Sequence, residues 1–282
     1  MTSAGTPGRL EGKVAFVTGA ARGQGRSHAL RLAAEGADVI AVDLGAKIDT
    51  APHTMPGPEE LAETAEAVRA LGRRCVSAIV DVRDREALGQ AVGDGVAKLG
   101  RLDAVVANAG IAGFLPMTEI GPAEWKNMID VNLTGVFFTC QAALPHLLAT
   151  GDGGSIVLTS STAGARGHAN LAHYVAAKHG VLGIMKTLAK ELAPHFVRVN
   201  AVLPTAVDTP MFQHDQLYRL YRPDLESPTV EDAIPSFKSV HLLDIPWVEV
   251  EDITNAVLFL LSDESRYVTG TALPIDAGKS QA

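Results

Sequence analysis

Short apolar runs alternate with stretches of helical periodicity along almost the whole chain. Val14-Ala15-Phe16-Val17 is the first run, apolar at successive positions as in a strand covered on both faces. A glycine-rich stretch follows, and residues 26–35 read as a helix ending at Gly36. Residues 37–43 form a second buried-strand run. Pro58-Glu59-Glu60 opens a second helix, because Pro tolerates the first turn and acidic side chains suit the positive end of the helix dipole. Leu61, Ala65, Val68 and Leu71 carry its apolar stripe, and Gly72 stops it. Residues 75–80 read as the third strand. Leu88, Ala91, Val92, Val96 and Leu99 stripe a third helix before Gly100, and 102–107 is the fourth strand.

The alternation continues with a helix over 122–149, a strand at 155–159, a helix over 173–193 and a strand at 198–203. A helix over 251–262 precedes a last strand near 271–275. This order predicts an α/β fold, a Rossmann-type doubly wound parallel sheet of about seven strands with helices on both faces. No linker or shift in composition divides the chain, so 1–282 reads as one domain. Two stretches break the rhythm, an insertion near 45–57 and a longer one near 204–249; loops of that length in compact domains are usually functional or disordered.

Composition narrows the function classes. With 282 residues, 47% of them hydrophobic, the chain can bury a sizeable core without disulfide or metal staples. Net charge is 24 − 32 = −8 and Lys and Arg form no run, so nucleic acid is not an expected partner. Cys75 and Cys140 make neither a CxxC nor a zinc pattern, which suits a reducing compartment. The opening MTSAGTPGRLEGK lacks an apolar signal core and no run of about 18 apolar residues follows, so a cytoplasmic protein with no membrane partner is expected.

Thr18-Gly19-Ala20-Ala21-Arg22-Gly23-Gln24-Gly25 lies between the first strand and the first helix. Glycines there let the backbone turn tightly and approach a pyrophosphate, which the helix N-terminus then binds. The spacing is GxxxGxG rather than GxGxxG, and a merely structural turn would need glycine too. Asp43 ends the second strand 18 residues after Gly25, where a carboxylate can bond ribose hydroxyls and repel a 2′-phosphate. NAD is therefore expected over NADP. Arg22 argues the other way, but Leu44 and Gly45 supply no second positive charge.

Tyr174 and Lys178 stand four apart in a helical stretch, so they share one face. A neighbouring ammonium favours tyrosinate, and such a phenol can exchange a proton with an alcohol at moderate pH. Ser161, 13 residues before Tyr174, falls just past the fifth strand, at the carboxyl edge where open α/β sheets bind ligands. A hydroxyl there can orient a substrate oxygen, with Ser160 as its rival. Asn132 sits inside a helix although Asn is a mediocre helix former, which fits a functional amide or a solvated helix face equally.

Taken together these motifs resemble the short-chain dehydrogenase/reductase family, in its single-domain branch. The resemblance runs from Leu10 to Gly278 and rests on Thr18-Gly19-x-x-x-Gly23-x-Gly25, Asp81-Val82, Asn108-Ala109-Gly110, Asn132, Ser161 and Tyr174-x-x-x-Lys178. It implies that Tyr174 is the catalytic acid/base, that Ser161 positions the substrate oxygen, and that Lys178 holds the nicotinamide ribose and tunes Tyr174. It further implies that Asn132 supports a water relay behind the lysine, that Asp81 and Val82 flank the adenine, and that Asn108 to Gly110 line the cofactor. Val207 and Thr209 match positions that hold the nicotinamide amide. Helices over 122–149 and 173–193 resemble those that pair subunits in this family, implying a homotetramer.

Two departures refine the resemblance. Gln24 stands where the family commonly has an aliphatic residue, and Pro204-Thr205 where it commonly has Pro-Gly. Gln24, the following Gly25-Arg26-Ser27-His28 and the insertion after Asp43 resemble the mycofactocin-associated subgroup, which includes carveol dehydrogenase-like enzymes. That likeness implies NAD that stays bound and passes electrons to a peptide-derived redox carrier, with the 45–57 segment covering the adenosine half; a plain surface loop is its other reading. The histidines form no metal pattern. His173 and His179 read as rim residues and His168 as a candidate substrate contact. Met211, Phe212, Tyr218, Tyr221 and Trp247 either form an apolar lid or simply pack their loop down. The expected reaction is hydride transfer between NAD and a small, neutral, hydrophobic alcohol or ketone. A sugar-nucleotide epimerase or dehydratase and a non-catalytic dinucleotide sensor are the competing classes.

Overall fold

A computed structural model describes residues 7–281; residues 1–6, part of the segment read as lacking a signal core, lie outside the described residues. Seven parallel strands form one sheet in the order β3-β2-β1-β4-β5-β6-β7. They are β1 (Val14–Thr18), β2 (Asp38–Asp43), β3 (Cys75–Ile79), β4 (Ala104–Ala107), β5 (Gly154–Thr159), β6 (Val197–Pro204) and β7 (Ala272–Ile275). Alternation along β1 explains the two layers. Val14 and Phe16 face one apolar core with Ile40 and Val42, while Ala15 and Val17 face the other with Val39 and Ala41.

The first core is closed by α3 (Arg85–Leu99), α5 (Gly135–Thr150) and α6 (Ala172–Leu192), through residues such as Leu88, Val136 and Met185. The second is closed by α1 (Gly23–Ala34), α2 (Pro58–Ala70) and α9 (Val250–Leu261), through Leu32, Leu61 and Val257. Both cysteines are free, Cys140 buried and Cys75 half-buried.

Three departures from the expected elements matter. The first helix starts at Gly23 rather than Arg26, so Gly23 and Gly25 lie in its first turn. The helix expected over 122–149 runs from Pro122 to Thr150, but α4 (Pro122–Ile129) passes into α5 through a π-helical turn at Asp130–Thr134. By length and composition that joined helix is apolar enough to cross a membrane; here its inner face packs on α3 and the sheet. The long stretch after β6 contains α7 (Asp215–Tyr221) and α8 (Val230–Lys238). These gather Phe114, Phe212, Tyr218, Tyr221 and Trp247 around buried Leu217, Ala233 and Phe237, a third apolar cluster.

Candidate active site

The strand order reverses between β1 and β4, and loops leaving those two strands part to opposite sides there. Above that edge lies a cavity of about 270 Å³. Gly19, Arg22, Gly23, Gln24, Gly25, Asp43, Leu44, Asp81, Val82, Asn108, Ala109 and Gly110 line it, as do Ser161, Tyr174, Lys178, Val207 and Thr209. Asn132 alone among the expected site residues does not line it and lies directly behind it.

Close packing explains the glycines. Gly19 turns with φ 69°, and a Cβ on Gly25 would fall 1.9 Å from the Gly19 carbonyl oxygen. Asn108 locks this turn to β4: its Nδ2 donates to Thr18 O (3.1 Å), and its backbone N–H donates to Thr18 Oγ1 (3.1 Å). Gln24 lines the cavity, and its Oε1 is buried without a partner among the described residues. Asp43 is nearly buried and accepts from Ala21 N–H (3.0 Å) and Gly45 N–H (3.4 Å); burial pushes its carboxyl above the usual range against those bonds. Burial also opposes ionisation of Asp81, but the Arg83 guanidinium at 2.6 Å holds it below its usual range.

Rivalries left open by the sequence resolve in three dimensions. Ser160 Oγ donates to the Lys178 carbonyl (2.9 Å) and is buried, so it anchors α6 to β5. Ser161 instead accepts from Ala163 N–H (3.1 Å), reaches Pro204 O at 3.5 Å, and its hydroxyl favours the ionised form of the Tyr174 phenol. The solvated-face reading of Asn132 is wrong: Asn132 is fully buried in the π turn, accepting from Ile111 N–H and donating to Ile111 O, both at 2.8 Å. Turns of this kind recur at functional sites.

Lys178 is buried, donates to Thr159 O (2.9 Å), and lies 5.5 Å from the centre of the Tyr174 ring. Desolvation lowers its pKa to about 8. The expected lowering of Tyr174 is not what this arrangement shows. Burial pushes the phenol up, and the Ser161 hydrogen bond offsets part of that rise. Among the histidines, His173 is buried rather than at the rim, with Nδ1 unpartnered among the described residues and Nε2 near Gly113. His179 is exposed, and His168 lines the cavity. Met211, Phe212 and Tyr221 line it too, whereas Tyr218 and Trp247 stay in the apolar cluster behind.

Sequence reasoning missed several contributors. Thr159 supplies the carbonyl that holds Lys178, and Phe114, Leu171 and Lys279 line the cavity. The 45–57 segment reaches it through Ile48, His53, Met55 and Pro56. That segment is pinned by Asn127 Nδ2 to Thr50 Oγ1 (3.1 Å) and by Arg22 Nη1 to Thr54 Oγ1 (3.3 Å). His53 is buried, its ring 6.3 Å from that of His214. No spacing rule joins these residues; only Gly45 and Gly57 marked the segment.

Comparison with known proteins agrees with this geometry. The family model for short chain dehydrogenases matches residues 13–218. A (-)-trans-carveol dehydrogenase of Rhodococcus erythropolis is 53% identical over 271 residues, covering 96% of this chain and 98% of that protein. The crystal structure of a carveol dehydrogenase from Mycobacterium avium, in complex with NAD, superposes with a TM-score of 0.96 at 56% identity, covering 98% of this chain and all of that one. A short chain dehydrogenase from Mycobacterium paratuberculosis, bound to NAD, is 44% identical with a TM-score of 0.89 over 98% of this chain and 100% of its own. With the family model covering most of its length and a Ser-Tyr-Lys cluster beside a glycine-rich turn, the chain belongs to the short chain dehydrogenase family.

Proposed function

We propose that this protein is an NAD-dependent dehydrogenase that moves a hydride between NAD and a small hydrophobic secondary alcohol or ketone. One observation carries the reading: Ser161, Tyr174 and the neighbouring Lys178 share a cavity with the glycine-rich turn and Asp43. Relatives named for carveol dehydrogenase, and two structures bound to NAD, support it. The unpartnered Gln24 Oε1 and Thr159 Oγ1 are buried acceptors suited to a polar cofactor. Asp43, Leu44, Asp81 and Val82 would hold its adenosine half; Gly19, Arg22, Gly23, Gln24 and Gly25 its phosphates. Asn108 to Gly110, Lys178, Val207 and Thr209 would hold the nicotinamide riboside. NAD supplies the hydride acceptor or donor when bound.

The remaining chemistry falls to the chain. Ser161 fixes the substrate oxygen next to Tyr174, which takes the hydroxyl proton in oxidation and returns it in reduction. Ionising a buried phenol needs compensation; Ser161 Oγ supplies part of it, and a charged Lys178, 5.5 Å from the ring centre, would add to it. Asn132 acts through Ile111 and the neighbouring Gly110, behind Lys178, as a positioning residue. Phe114, Leu171, Met211 and Phe212 give the substrate an apolar wall, and the segment over 204–249 serves as its lid. Formation of reduced NAD from a panel of secondary alcohols tests the reading. A protein that binds NAD and turns over none of them would be a sensor, and one that acts on sugar nucleotides an epimerase or dehydratase.

Three finer features belong to the same proposal. The pinned 45–57 segment acts as a strap that slows NAD release, so a peptide-derived carrier of the mycofactocin type reoxidises the cofactor in place. The joined helix Pro122–Thr150 leaves Trp125, Phe137 and Leu148 exposed, which suits subunit pairing in a homotetramer. The two free cysteines suit a reducing, cytoplasmic setting.

A further inference from the structure

The chain lacks a basic run, yet the fold carries a cation to the substrate cavity from its far end. After β7 the backbone passes through two successive left-handed residues, Ala277 (φ 50°) and Gly278 (φ 83°). Such strain in a non-glycine residue persists only where its surroundings fix it. Here they do. Leu242 and Leu243 N–H both donate to Ala277 O (3.0 and 3.1 Å), and a Cβ on Gly278 would meet Leu242 Cβ at 2.8 Å. Asp276 accepts from Gly278 N–H (3.0 Å), Ser280 N–H (2.8 Å) and the Ser280 hydroxyl. Arg166 donates to the Lys279 carbonyl from the other side. The product of this bracing is Lys279 in the wall of the cavity that holds Ser161 and Tyr174.

Among the described residues the Lys279 ammonium makes no ion pair or hydrogen bond. The nearby Asp276 carboxylate is held by the three donors just named, and its charge acts on Lys279 without direct contact. Its other charged or titratable neighbours among the described residues are Arg166, His168 and His241, all bases; burial lowers Lys279, Arg166 adds to the effect and Asp276 offsets part of it. His241 Nε2 is bonded to Thr205 Oγ1 (2.8 Å) and its Nδ1 contacts Ile245 O (3.0 Å), so it is not available to a ligand. A half-buried ammonium that donates to no group costs free energy that an anion in direct contact recovers. Building on the dehydrogenase reading above, we infer that Lys279 is a specificity-determining residue and that the hydrophobic alcohol oxidised here also carries a carboxylate, which pairs with it. The walls accept an aliphatic ring, Ser161 and Tyr174 take its hydroxyl, and Lys279 takes the acid.

Binding separates this inference from the reaction. Titration calorimetry of the NAD-saturated protein would compare cyclohexanecarboxylate with its neutral isostere cyclohexanecarboxamide. The protein should bind the carboxylate about 10-fold or more tightly than the amide, the scale of one charge-assisted hydrogen bond. Lys279→Met should abolish that preference while keeping amide affinity, and Lys279→Arg should retain it. Tyr174→Phe should keep it as well, so a failure of turnover counts against the dehydrogenase reading alone. Equal affinity of the unmodified protein for both compounds, or a preference that survives Lys279→Met, would overturn the inference.

Discussion

Replacing Asn132 with Ala should damage stability and activity together, by an amount that its contacts define. Asn132 is fully buried and joins both backbone groups of Ile111, itself 2% exposed, through two hydrogen bonds of 2.8 Å. Alanine leaves a buried N–H and a buried C=O unpaired, at about 1–3 kcal/mol each, so the loss should reach about 2–6 kcal/mol. That is a large share of the roughly 5–15 kcal/mol that holds a typical domain together. Activity should fall as well, because Gly110 lies between the two side chains. A Cβ there would stand 2.9 Å from Asn132 Oδ1 and 3.6 Å from Lys178 Nζ. Asn132→Asp keeps the acceptor for Ile111 N–H but sets a carboxylate against Ile111 O, so near neutral pH it should do no better than Ala. Urea unfolding followed by circular dichroism, with turnover measured in parallel, provides the assay. An Asn132→Ala protein within about 0.5 kcal/mol of the parent, a change ordinary for a surface site, would refute the reasoning.

Other predictions concern pH, cofactor choice and cofactor release. His28 is fully buried with Nδ1 on Thr254 Oγ1 (2.7 Å), and desolvation lowers its pKa from 6.5 to about 3. Between those values the unfolded chain binds a proton that the folded chain refuses, so stability should fall as pH drops through that window. His28→Gln should flatten this part of the melting-temperature profile, and parallel profiles would refute it. Asp43→Asn should cut the preference for NAD over NADP, read as a ratio of kcat/KM, by about 10-fold or more, since a unit charge near a phosphate is worth about 1–4 kcal/mol. An unchanged ratio would remove Asp43 from cofactor selection. Thr50→Val with Thr54→Val removes both pins of the strap, about 1–3 kcal/mol in all, and should speed NAD release about 5- to 100-fold. Release at the parental rate would leave the segment a surface loop.

Much of this was legible because each layer of the fold leaves a local trace. All four residues of Val14 to Val17 are buried, so an unbroken apolar run marked the strand, and Gly36, Gly72 and Gly100 turn with positive φ where helices were expected to stop. Tyr174 and Lys178 share a helix, so spacing alone placed them side by side. What stayed hidden depends on contacts between distant segments. Ser160 and Ser161 differ only in which way the chain turns after β5. In the π turn, the Asn132 amide pairs with Ile111, 21 residues away in sequence. Helix α8 is an exception that local rules could have found: Thr229 and Asp232 form a capping box ahead of it. Lys279 had no local signal, because its approach to the cavity depends on bracing by Leu242 and Arg166.

The most direct test of the central claim is the turnover of a secondary alcohol by Tyr174→Phe, measured beside its NAD content. The ring, its packing and the Lys178–Thr159 hydrogen bond survive that change, while the exchangeable proton does not. With Tyr174 as acid/base, turnover should drop about 10²–10⁴-fold with NAD binding nearly unchanged. Turnover within a few-fold of the parent would contradict the account.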